Sequence, residues 1–82
     1  MNAYKMYRIN ENEKVIIYRK RTRKGIRYIV TYHNIWDGET TYGIGETLAI
    51  ALKVAENHWK EIAPKSPNPF SILLEYLSYD VL

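Results

Sequence analysis

Six of the ten residues from Tyr18 to Arg27 are lysine or arginine: Arg19, Lys20, Arg21, Arg23, Lys24 and Arg27. Cations at that density bind anions, and a nucleic-acid backbone is the polyanion that presents phosphates in a row. Like charges this close repel one another, and a surface made only for solubility mixes signs. Tyr18 and Tyr28 bracket the block with aromatic rings. His33, a few residues on, can hydrogen-bond a phosphate from the same side. The predicted nucleic-acid-binding set is Arg19, Lys20, Arg21, Arg23, Lys24, Arg27 and His33. Each phosphate contact it makes would add about 0.9 to the salt slope on duplex DNA.

Other chemistries find little support. The carboxylates Asp37, Glu39, Glu46, Glu56, Glu61, Glu75 and Asp80 show no spacing that converges on one point, whereas metal-dependent nuclease chemistry needs clustered acids. Glu56 and Lys60 read as an ordinary i,i+4 helix pair, and Asp37 belongs to its turn. The chain has no cysteine, and His33 and His58 are its two histidines, without metal-ligand spacing. Ser66, Ser71 and Ser78 lie in the linker and tail, away from either histidine, so no nucleophile triad is suggested. Gly43-Ile44-Gly45 lacks the continuation of a phosphate loop, and the two glycines read as easing a sharp strand-to-helix turn. Trp36 reads as a cap on the core, with base stacking as the alternative; Trp59 reads as core. The expectation is a non-enzymatic protein with no catalytic residues, cofactor or metal.

The elements that must position these residues fit within 82 residues. A domain of this size buries only about 60% of the surface of its unfolded chain, which leaves room for one sheet-and-helix layer pair. Residues 1–33 hold nine Lys or Arg against two acids, and residues 34–82 hold three Lys against seven acids. The overall charge of +3 therefore conceals a basic front and an acidic back. No apolar run is long enough to span a membrane and no signal-peptide pattern opens the chain, so a cytoplasmic location, or a host-cell interior for a viral protein, is expected.

Residues 4–9 (YKMYRI) read as an edge strand or an ordered arm. Residues 15–21 (VIIYRKR) and 26–33 (IRYIVTYH) read as strands, the second alternating with period two. Asp37-Gly38 marks a hairpin turn before a short strand at 40–44. For the first hairpin, a three-residue loop Arg23-Lys24-Gly25 places Thr22 opposite Ile26 and Lys20 opposite Tyr28. A two-residue Lys24-Gly25 loop sets Arg19 and Arg21 among Tyr28 and Val30, where burial of guanidinium groups is costly. The three-residue loop is preferred, and it puts Arg19, Arg21 and Arg27 together on the outer sheet face.

Thr47 is the expected N-cap of a helix whose stripe is Leu48, Ala51, Leu52, Ala55, Trp59 and Ile62. Ile50 and Val54 form a flanking row for a second helix to cover. A three-proline linker follows, and Asn68-Pro69 reads as a cap for a helix over 70–82. The predicted fold is α+β: an antiparallel three- or four-stranded sheet, one long helix packed on one face, and a short C-terminal helix. Residues 1–63 form a β-β-β-α domain, and residues 64–82 a proline-rich linker and apolar helix. Phe70, Leu73, Leu74 and Leu77 are the predicted self-association residues, giving a homodimer.

Two families are similar over roughly residues 28–59. The segments 19–25 (RKRTRKG), 26–33 (IRYIVTYH), 40–44 (TTYGI) and 45–56 (GETLAIALKVAE) resemble the three-stranded-sheet DNA-binding domain of integrases of the arm-binding type and its relative in ethylene-response factors. That resemblance implies a sheet lying in the major groove, with Arg19, Arg21 and Arg27 reading or clamping the duplex. YIVTYH followed by Gly45-Glu46-Thr47-Leu48 and Ala51-Leu52 also resembles the HicB-type antitoxins, which implies a small inhibitor that binds a partner protein. The leading expectation is a nucleic-acid-binding accessory or regulatory protein of a phage, virus or mobile element, with duplex DNA favoured over RNA. The alternative is an antitoxin or anti-defence inhibitor gripping an acidic protein surface.

Overall fold

Val15, Ile17 and Val30 are completely buried and Tyr32 nearly so, whereas the residues between them on each strand look the other way. That alternation builds a sheet with one covered face. The computed structural model describes residues 3–80, with the side-chain surroundings of residues 3–77. Its elements run β1 (Ala3–Arg8), β2 (Glu13–Thr22), β3 (Gly25–Asn34), β4 (Gly38–Gly45), α1 (Leu48–Ile62) and α2 (Pro69–Asp80). The sheet is antiparallel, with strand order β1-β2-β3-β4, and both helices lie on one side. The predicted α+β fold is therefore present, with four strands. Residues 81–82, the predicted end of the second helix, lie outside the described residues.

Thr47 caps α1 as expected, its Oγ1 accepting the Ile50 N–H at 3.1 Å. The helix ends where Ala63 N–H reaches Trp59 O at 2.7 Å, one residue before Pro64. Asn68 caps α2 by accepting the Phe70 N–H at 3.1 Å, and its Nδ2 donates to Glu56 O at 3.0 Å. One side chain thus fixes both the start of α2 and its contact with α1.

Gly43 and Gly45 are needed for a different reason from the expected turn. Neither has positive φ. A Cβ on Gly43 would lie 2.3 Å from Ala51 O, and one on Gly45 would lie 2.7 Å from Ala51 N. The two glycines let the backbone of α1 rest directly on β4, with Ala51 and Ala55 as small residues in the contact.

The core joins Val15, Ile17, Val30 and Tyr32 of the sheet to Ala51, Leu52 and Ala55 of α1 and to Phe70 and Leu73 of α2. Trp59 completes it from α1, with ring centroids 4.9 Å from Tyr32, 5.4 Å from Tyr42 and 6.0 Å from Phe70. This corrects the predicted self-association set. Phe70 is fully buried and Leu73 nearly so within the chain's own core, and Leu74 and Leu77 pack against that core. An all-round apolar helix found its partner in the aromatic end of the sheet. Among the described side chains of α2, Ile72 and Tyr76 are the exposed large apolar ones. Because α2 goes to that end, Ile50 and Val54 stay exposed, as does Ile62, the predicted last member of the α1 stripe.

Glu56 is also more than half of an ordinary helix pair. It is 7% exposed, accepts from Lys53 Nζ at 2.7 Å and Ser71 Oγ at 2.6 Å, and stands 3.7 Å from Lys60 Nζ. Its carboxyl is held below its ordinary pKa, first by Lys53 and then by Ser71. It is the polar bolt between α1 and α2.

Candidate nucleic-acid interface

The basic segment folds as the far half of the β2–β3 hairpin. Thr22 makes the turn: its Oγ1 accepts the Lys24 N–H at 3.2 Å and donates to Gly25 O at 2.7 Å. Thr22 and Gly25 are paired, the loop is Arg23-Lys24, and Gly25 takes φ 111°, which glycine tolerates without a Cβ clash. The ladder then sets Arg21 opposite Ile26, Lys20 opposite Arg27, Arg19 opposite Tyr28 and Tyr18 opposite Ile29.

This register differs from the expected one by one residue, and a slip of one exchanges the faces. Arg19 and Arg21 share the helix-side face with Ile17, Tyr28 and Val30, while Lys20 and Arg27 are on the outer face. The three arginines are not together on the outer face. Desolvation does not oppose this arrangement, because the hairpin runs past the helices. Ile17 and Val30 are fully covered, whereas Arg19, Arg21 and Ile26 on the same face are exposed. Arg23 and Lys24 are exposed at the turn. The result is a two-stranded arm with cations on both faces and at its tip.

Among the described residues, Arg27 alone of the six cations meets a carboxylate, Glu46 at 3.7 Å. It also donates to Ile26 O at 3.0 Å. Arg19 lies over the ring of Tyr4, guanidinium carbon to centroid 4.6 Å. Tyr4 in turn meets Tyr28 edge to face at 5.7 Å. Sequence reasoning gave Tyr4 no role. Its orientation depends on an irregularity in the β1–β2 pairing between Ala3 and Lys5, of the kind that re-aims a side chain. No residue type in that segment announces it.

His33 stays on the outer face of β3, opposite Lys14 and Glu39 and half-buried. Six positions separate it from Arg27, which is about 20 Å along a strand. It is not brought together with the arm.

The outer face carries a carboxylate at its centre. Tyr18 Oη and Thr31 Oγ1 both approach Glu39 Oε1, at 2.7 and 2.8 Å, beside a shallow hollow of about 460 Å³ lined also by Ile29 and Thr41. These hydroxyls, Tyr18 first, hold the Glu39 carboxyl below its ordinary pKa, so it is ionised at neutral pH. A fixed negative charge there opposes phosphate, and the outer face is not uniformly basic.

Trp36 is 71% exposed, so the core reading for it is overturned. Asn34 Oδ1 accepts the N–H groups of Trp36 at 2.9 Å and Asp37 at 2.7 Å. This side-chain turn lifts Ile35 and Trp36 into solvent at the end of the sheet away from the basic arm.

Among the described residues, no group of three His, Asp or Glu side chains could hold a metal ion. No described helix is long and apolar enough to cross a membrane. Comparison of the chain with protein-family models, curated proteins and solved structures found no match.

Proposed function

We propose that this chain is a non-enzymatic nucleic-acid-binding protein that grips phosphates with the β2–β3 arm, as an accessory or regulatory factor of a phage, virus or mobile element. The observation that carries this reading is the arm itself. Arg19, Lys20, Arg21, Arg23 and Lys24 project beyond the helices without a carboxylate partner among the described residues. Displacing counterions from phosphates is the favourable process open to such a group of cations. The two-sided charge favours an arm that inserts between or along phosphate rows over a sheet lying flat on them.

Arginine-to-alanine and lysine-to-alanine changes at Arg21, Arg23 and Lys24 test the proposal, with His33→Ala as the contrast. All four are outside the core, so the variants fold. Binding to nucleic acid at low salt is expected to fall for the arm variant and to be unchanged for His33→Ala. A protein that binds no nucleic acid at low salt, yet copurifies with an acidic protein, returns the inhibitor reading.

A further inference from the structure

The register that moves Arg19 and Arg21 to the helix-side face also sets them beside two aromatic rings, Tyr4 and Tyr28. Past the edge of the core, Tyr4, Arg19, Arg21, Ile26 and Tyr28 lie together on one side of the arm. Tyr4 is 39% exposed and Ile26 40% exposed. Arg19 lies over the Tyr4 ring, 4.6 Å from its centroid, and is itself exposed to solvent. Tyr4 makes a T-shaped contact with Tyr28, and Tyr28 packs against the core.

A phosphate needs none of this. An aromatic ring with an exposed guanidinium set over it offers flat groups that match the face of a nucleobase, and bases reach such a platform only when unpaired. A duplex hides its base faces in the stack and offers an arm only groove edges and phosphates. Resting on the nucleic-acid reading above, we infer that the helix-side face of the arm is a stacking site for unpaired bases, and that the protein prefers single strands to duplex. A base stacks on Arg19, which Tyr4 orients, while Arg21, Lys20, Arg23 and Lys24 take the flanking phosphates. Ile26 supplies apolar contact to the next base.

The test uses a fluorescent oligothymidylate strand and a duplex of equal length, titrated by anisotropy at one salt concentration. Tyr4→Leu keeps apolar bulk on β1 and removes the ring; Tyr4→Phe keeps the ring. The wild type is expected to bind the strand more tightly than the duplex. Tyr4→Leu is expected to lose about tenfold on the strand, the range of one lost stacking contact, with little change on the duplex, and Tyr4→Phe to bind as wild type does. Duplex binding equal to or tighter than strand binding, with Tyr4→Leu silent on both, overturns the stacking site and leaves the phosphate-gripping arm standing. Binding to neither probe overturns both.

Discussion

Replacing Glu56 by alanine removes the polar bolt between the two helices, and the structure sets the size of the effect. The hydrogen bond from Ser71 Oγ, 2.6 Å long, ends on an ionised acceptor that is 7% exposed. Such bonds contribute about 1.5–3 kcal/mol. The Lys53 ammonium is closer to solvent, its side chain 61% exposed, so that pair is discounted to about 0.5 kcal/mol. Glu56→Ala should therefore destabilise the fold by about 2–3.5 kcal/mol, which lowers Tm by roughly 8–28 °C in a domain this size. Glu56→Gln keeps the shape and a neutral hydrogen bond and should lose about half as much. The pH dependence carries a sign. The folded-state pKa lies below the ordinary 4.5, so the contribution is complete above that value and is lost as pH falls through the folded pKa. Thermal melts followed by circular dichroism should show a flatter acid limb for Glu56→Gln than for the wild type. Some acid sensitivity should remain, because Glu13 and Glu39 are depressed as well, by the hydroxyls of Tyr32 and Tyr18. A Glu56→Ala protein within about 0.5 kcal/mol of wild type, the range of an inert surface change, would refute the reasoning.

Gly43→Ala should destabilise by about 3 kcal/mol or more in urea titrations. Its Cβ meets Ala51 O at 2.3 Å and Ala55 N at 2.7 Å, both backbone atoms that cannot move without lifting α1; a variant of wild-type stability would contradict the close packing. Removing residues 64–82 takes Phe70 and Leu73 out of the core, a loss of about 5–10 kcal/mol against a typical total of 5–15. The truncated chain should melt without a cooperative transition, and a sharp transition would show that the core does not depend on α2.

Much of the fold was legible because it rests on short-range rules. Alternation in residues 26–33, the Thr47 and Asn68 caps and the proline after α1 each specify local geometry. What was not legible depended on contacts across the chain. The hairpin register turns on whether Gly25 or Ile26 pairs with Thr22, and a single hydroxyl, Thr22 Oγ1, decides it. The helices do not cover the whole of β2 and β3, and strand length relative to helix cover is a tertiary property. Glu56 looks like any exposed helix glutamate until Ser71, fifteen residues on, is brought against it. The basic cluster was visible in the composition, whereas its spread over two faces and the Tyr4 platform beside it required the register and the irregular β1 pairing.

The salt dependence of nucleic-acid binding reads out how many phosphates the arm grips. With five arm cations that have no carboxylate partner among the described residues, the plot of log affinity against log salt should have a slope of roughly −3 to −5, at about 0.7–0.9 per phosphate contact. Alanine at Arg21, Arg23 and Lys24 should bring that slope up by about 2–3, with the melting curve unchanged. Absence of binding at low salt, or a slope that the arm variant leaves intact, would contradict the account.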